Sequence, residues 1–269
     1  MKSDLARITF FSPTVSRGIK NKREVVDLVM KKMRKSGDIK YAGYLEEKKL
    51  HEDLLRHIGN GNLARYKPPT AQQRQAIEKT VRVAVKKSHK MLPHSDLPIF
   101  IFVYPWFPEA ESRALFGGVN ALAAYCTMHL FIDLDSYTRT SLRQTIAHEW
   151  THLVFYRHHP ARQYTLRAHL VMEGIAEVFR EEVMGGKSAP WSRALTRKES
   201  QKQLGLLKQK LGARGMKIYR EVFFGGKKYR QWTGYSIGYW LVRKFRREHP
   251  ETSWEDIVNT KPENIEFII

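Results

Sequence analysis

The sequence predicts an α+β protein, predominantly helical, with a small sheet, one antiparallel helix pair at its centre and a helical N-terminal region. Three observations carry this expectation. Apolar residues recur at helical spacing through most of the 269-residue chain. Two stretches, Leu97–Tyr104 and Tyr125–Asp133, have the length and the apolar or alternating character of strands. Hydrophobic residues make up 42% of the chain, an ordinary share for a protein with a buried core.

Taken in order, residues 1–20 show no periodicity, contain Pro13 and Gly18, and read as an irregular lead-in. From Asn21 to Lys35, Val25, Val26, Leu28, Val29 and Met33 form an apolar stripe on a cationic helix, ended by Gly37 and Asp38. Tyr41–Ile58 is a second helical stretch, with Leu45, Leu50, Leu54 and Leu55 apolar, broken by Gly59-Asn60-Gly61-Asn62. Thr70 and Gln73 have the spacing of a capping box. The helix they open runs to about Met91 and is expected to bury Ile77, Val81, Val83 and Val85. Residues 1–68 are read as the helical N-terminal region, packing on a larger domain of residues 69–269.

Leu97–Tyr104, stopped by Pro105, reads as a buried strand, and residues 106–125 as a loop around Gly117-Gly118. In Tyr125–Asp133, Met128, Leu130 and Ile132 share one face. That strand is either an edge that offers its backbone to an extended peptide or a sheet strand without such a role. A helix follows from Ser136–Thr140 to about Arg157, closed by His158-His159-Pro160. Another spans Gln163–Met184 and ends at Gly185-Gly186. Residues 187–233 read as a variable surface or lid. Gly234 opens an amphipathic helix to about Glu248, Trp254–Val258 is a short helix, and the apolar tail IEFII docks on the core.

The chemistry-bearing residues sit on the two middle helices. His148-Glu149-Trp150-Thr151-His152 places two imidazoles at i and i+4, one above the other on a single helical face. Glu149 projects beside them, where it can handle the proton of a water held there. This is the HExxH spacing of zinc hydrolases, and one Zn²⁺ ion is the cofactor it implies. Such a site needs a third protein ligand. On the next helix His169, Glu173 and Glu177 form a polar stripe flanked by Leu170, Val171, Met172, Ile175, Ala176, Val178 and Phe179. Carboxylates among so much apolar surface are costly unless paired or metal-bound. Glu173 is the candidate third ligand and His169 its rival. Glu177, one turn on, can accept a hydrogen bond from the second ring nitrogen of a ligating histidine and so fix its tautomer. Gly174 costs a helix about 1 kcal/mol relative to alanine; close approach of a neighbouring helix would justify it.

Composition narrows the alternatives. The only cysteine, Cys126, rules out an internal disulfide and a Cys-based zinc ribbon. No apolar run reaches the ~18–20 residues of a transmembrane helix. The N-terminus lacks the apolar segment of a signal peptide, so a cytoplasmic location is expected. The net charge of +20 could recruit nucleic acid. Its Lys and Arg are spread along the chain, however, without a nucleic-acid signature, so any such binding is expected to be non-specific. The expected partner is a peptide or protein substrate. A basic nucleic-acid-associated protein and an inactive peptidase fold used for interaction are the alternatives.

HEWTH followed by EGIAE resembles the Glu-zincin superfamily of metallopeptidases, and Tyr235-Ser-Ile-Gly238 resembles the Tyr-x-x-Gly helix start of its aminopeptidase-like members. From Leu97 to Val258 the pattern is most similar to the YjaZ-like predicted Zn-dependent proteases. The resemblance implies a zincin-like fold and peptide-bond hydrolysis. It implies His148, His152 and Glu173 as zinc ligands, Glu149 as general base and Tyr235 as transition-state donor. Tyr239, one turn on, competes with Tyr235 for that role. One departure stands out: where aminopeptidases of this type carry Gly-x-Met-x-Asn, this chain reads GGVNALAAY. Endopeptidase activity therefore stays open beside N-terminal trimming.

Overall fold

The computed structural model describes residues 4–11, 21–43, 46–57, 68–105, 117–124, 126–159, 164–266 and 269. Its elements are β1 (Ala6–Phe10), α1 (Lys22–Ser36), α2 (Glu47–His57), α3 (Ala71–Met91), β2 (Ile99–Tyr104), β3 (Val119–Ala124), β4 (Thr127–Ile132), α4 (Arg139–His158), α5 (Leu166–Met184), α6 (Arg197–Leu207), α7 (Met216–Phe223), α8 (Thr233–Glu248) and α9 (Trp254–Asn259). The architecture is α+β and predominantly helical, with one small mixed sheet. The breaker at 59–62, Pro13, Gly18, Leu45 and Pro160 lie outside the described residues. The chain divides into two compact units, residues 1–89 with 94–149 and residues 90–93 with 150–269.

The first unit holds the sheet, in the order β1-β2-β4-β3. Neighbours are parallel except the antiparallel pair β3–β4. Two of its strands correct the expectation from sequence. β1 lies inside the stretch read as an irregular lead-in, and pairs from Ala6↔Ile99 to Phe10↔Val103. Its residues, Ala6-Arg7-Ile8-Thr9-Phe10, alternate apolar and polar over five positions, and only Ala6 is buried. β3 lies in the stretch read as a loop. Its alanines have low strand preference, and cross-strand pairing with β4 supplies what propensity does not. β4 has a strand on each side and is buried along its whole length, so it is interior and has no edge to offer a peptide.

The helices of this unit follow their apolar stripes. Asn21 caps α1 by accepting from the Glu24 amide, and Gly37, at φ 74°, ends it. The Thr70–Gln73 capping box forms in both directions, at 2.9 and 3.1 Å. On α3 the buried face is Ile77, Thr80, Val81, Ala84, Val85 and Ser88; Val83, expected inside, is 38% exposed because it falls off that face. Val29, Met30 and Met33 of α1 and Leu50 and Leu54 of α2 share one apolar cluster with Phe102, Tyr104 and Phe131 of the sheet.

The second unit is built from helices. Residues 187–233, read as a variable surface or lid, form a packed layer instead. Leu204 and Leu207 of α6 and Val222 and Phe223 of α7 are buried with Leu166, Leu170, Ile237 and Leu241. Ile265 and Ile269 of the tail are buried; Phe267 and Ile268 lie outside the described residues. Among the described residues no helix is long and apolar enough to cross a membrane.

One buried polar group of the sheet makes stability depend on pH. His129 on β4 is fully buried. Its Nε2 donates to the Ala42 carbonyl at 2.9 Å, and its Nδ1 accepts from the Tyr104 hydroxyl at 2.9 Å. Burial pushes its pKa down to about 4, against a smaller upward pull from the Ala42 bond. A depressed folded-state pKa gives stability that is complete above the unfolded value, near 6.5, and lost as pH falls towards 4. Between pH 7 and pH 4 the wild type should therefore lose about 3 kcal/mol more than His129→Gln. Urea unfolding of both proteins at the two pH values checks this; parallel losses would refute it.

Candidate metal centre

α4 starts at a reciprocal cap. The Ser141 amide donates to Thr138 Oγ1 at 2.9 Å, and the Thr138 amide to Ser141 Oγ at 3.0 Å. The helix contains neither Gly nor Pro, so its hydrogen-bond ladder runs unbroken through the motif. Leu142, Ile146, Ala147, Trp150, Leu153 and Val154 are buried, and so are Glu149, Thr151 and His152. Trp150 Nε1 donates to the Leu92 carbonyl at 2.9 Å, which fixes the rotation of the helix. One ligand atom each from His148, Glu149 and His152 lies within 4.8 Å of the others. His159, at the helix end, instead bonds the Val258 carbonyl at 2.7 Å.

α5 begins at Thr165, whose hydroxyl accepts from the Ala168 amide. It brings Glu173 to the motif: Glu173 Oε2 lies 3.7 Å from His152 Nε2, and both side chains are nearly sealed from solvent. The other oxygen, Oε1, accepts from the Tyr219 hydroxyl at 3.3 Å. Glu177 is 2% exposed and takes hydrogen bonds from Trp191 Nε1, at 2.8 Å, and from Ser192 Oγ, with Arg180 at 3.7 Å. His169 is set among aromatic rings, 4.6 Å from Tyr219 and edge-on to Tyr164 at 5.4 Å. Burial lowers its pKa, with the charge of Glu173 pulling the other way.

The expectation of a close helix approach at Gly174 is met, and the partner is α8. A Cβ on Gly174 would stand 2.2 Å from the Gly238 carbonyl oxygen, and one on Gly238 would stand 2.2 Å from that of Leu170. The two backbones therefore touch, and α8 carries Tyr235 close enough to feel the charge of Glu173. The Tyr235 ring is half-buried, but its hydroxyl lies deep, near Glu173 and Tyr219. Burial first, and the Glu173 charge second, raise its pKa well above the usual phenol value. Tyr235 thus stays a protonated donor at any ordinary pH. Tyr239 serves another group. Its hydroxyl donates to Glu181 at 2.9 Å and receives Arg193 at 3.0 Å and Arg243.

Sequence reasoning missed Tyr219, Trp191, Ser192 and Arg180. The signal for Tyr219 was weak but present: Tyr219 and Phe223 stand at i and i+4 on one face of α7 and stack at 4.5 Å.

The donor set suits zinc. Two imidazoles and a carboxylate are among its ordinary ligands, at about 2.0–2.2 Å, which places ligand atoms roughly 3.3–3.6 Å apart around a tetrahedral ion. The 3.7 Å between His152 and Glu173 is beyond a hydrogen bond yet close to that spacing. Over residues 77–266 the sequence matches the family described as "Predicted Zn-dependent protease (DUF2268)". The chain belongs to this family. The matched span includes His148, Glu149, His152, Glu173, Tyr219 and Tyr235. The chain is also 27% identical, over 149 residues, to the uncharacterized protein YjfC of Bacillus subtilis (strain 168). That alignment covers 50% of this chain and 48% of the relative, so the chain spans about half the length of the curated relative it matches. No solved structure gives a significant match.

The glycine crossing yields a stability test. Gly174→Ala gains about 1 kcal/mol of helix propensity, but its methyl meets backbone atoms that no rotamer change can move. Overpacking of this kind reaches about 3 kcal/mol or more, so Gly174→Ala and Gly238→Ala should each lower stability. A denaturation midpoint at or above wild type for either would contradict the crossing.

Proposed function

We propose that the chain is a zinc-dependent peptidase of the Glu-zincin type. His148, His152 and Glu173 hold the ion, Glu149 is the general base and Tyr235 the oxyanion donor. The observation that carries this reading is the buried Glu173 carboxylate 3.7 Å from the second histidine of an HExxH helix. When bound, zinc supplies a Lewis acid that lowers the pKa of water from 15.7 towards about 7.

The chain's own residues supply the rest. Glu149, buried beside the two imidazoles, takes a proton from the attacking water and later returns it to the leaving amine. Tyr235 keeps its proton and donates a hydrogen bond to the carbonyl oxygen as that oxygen gains charge. Glu177, held by Trp191, Ser192 and Arg180, is a charged anchor beside the ligands and can orient a ligating imidazole. β1 and β3 end the sheet order, so the edges open to an extended peptide are theirs and not those of β4.

Metal analysis and a peptide-library digest test the scheme together. Wild type should carry one zinc per chain, and His148→Ala and Glu173→Ala should lose it. Glu149→Gln should keep the zinc and lose hydrolysis by about 10²–10⁴-fold. This also separates the two carboxylates, because Glu149 as the true third ligand would lose metal instead. Tyr235→Phe should keep the zinc while kcat falls about 10²-fold. Metal-replete wild type without stoichiometric zinc, or a Glu149→Gln protein that still cuts, would overturn the reading.

A further inference from the structure

Glu173 has two oxygens, and only Oε2 faces His152. A glutamate side chain on a helix turns readily about its last torsion, so the choice of oxygen needs a cause. The structure supplies one on α7. The Tyr219 hydroxyl donates to Glu173 Oε1 at 3.3 Å. A phenol has one proton to give. With that proton spent on Glu173, Tyr219 faces the carboxylate as a donor.

The ring that carries this hydroxyl is clamped. Tyr219 stacks on Phe223 at 4.5 Å, lies against His169 at 4.6 Å, and meets Phe224 edge-on at 5.8 Å. Phe223 is itself buried and lies against Gly234, where a Cβ would stand 2.8 Å from its ring. The start of α8 and the end of α7 therefore seat the ring together, close to Tyr235.

We propose that Tyr219 is a positioning residue of the candidate centre. It holds Oε1 so that Oε2 is presented to the metal. The proposal rests on the reading of His152 and Glu173 as ligands. Groups that orient a metal ligand in this way are worth about 10–100-fold in metal affinity or activity. A bond of 3.3 Å, long for a hydroxyl on a carboxylate, places Tyr219 at the lower end.

The test is zinc affinity, measured by chelator competition on the full chain, with apoprotein stability measured alongside. Tyr219→Phe keeps the ring and removes only the hydroxyl. It should bind one zinc about tenfold more weakly than wild type, with apoprotein stability changed little. In a Glu173→Asp background, where the carboxylate is withdrawn by a methylene, adding Tyr219→Phe should cost less than it does alone. Tyr219→Leu serves as the packing control. If Tyr219→Phe binds zinc within about twofold of wild type while Tyr219→Leu is defective, the ring matters and the hydroxyl does not, and the proposal falls while the metal reading stands. If wild type itself takes up no zinc, the metal reading fails and the proposal falls with it.

Discussion

The backbone contact between Gly174 and Gly238 is the constraint on which the second unit depends. With a side chain at either position, α5 and α8 could not approach until a Cβ lay 2.2 Å from a carbonyl oxygen. That closeness puts Tyr235 within reach of the Glu173 charge, and Gly234, one turn earlier on α8, leaves room for the Phe223 ring. The helix-propensity cost of the glycines, about 1 kcal/mol each, is the counterpart of a crossing that larger residues would forbid.

α5 carries a row of acids beside this crossing, the first two of them buried. Glu173, Glu177 and Glu181 recur every four residues along one face, each with its own set of partners. Tyr219 bonds the first; Trp191, Ser192 and Arg180 the second; Tyr239, Ser188 and Arg243 the third. At Glu181 burial alone would raise the pKa, but the bonds from Tyr239, Arg243 and Ser188 outweigh it and hold the carboxyl below its usual range. Buried carboxylates are tolerated where donors converge on them. Trp191 and Ser192 come from the turn at Pro190–Arg193, Tyr219 from α7, and Tyr239 and Arg243 from α8, so the acids fasten those segments to α5. The Glu173 carboxylate also lies 3.7 Å from His152 of the HExxH helix, which is why it is read as a ligand.

Much of the candidate site was legible because its spacing is local. His148, Glu149 and His152 lie within two turns of one helix, and helix geometry alone sets two imidazoles on one face. Glu173 was legible by a different route, as an acid that an apolar helix would not carry without purpose. Tyr239 competed with Tyr235 because both lie at the start of the same helix, and only the partners of their hydroxyls separate them. Tyr219 was hidden: on sequence it is one more aromatic on an amphipathic helix, and its role lies in what its hydroxyl touches on α5.

The sheet shows the same division. β2 and β4 announced themselves by composition, while β1 is a short alternation of five residues and β3 is alanine-rich, and pairing with their neighbours holds both. The sequence alone determined the helical periodicity, the HExxH face and the acidic stripe, since each is a matter of residues three or four apart on one element. Tertiary structure decided that β4 is interior, that residues 187–233 pack as a layer, and that α8 meets α5 at Gly174. Periodicity reports which face of an element is buried; what that face is buried against depends on contacts between segments far apart in the chain, and these form only when the whole unit folds.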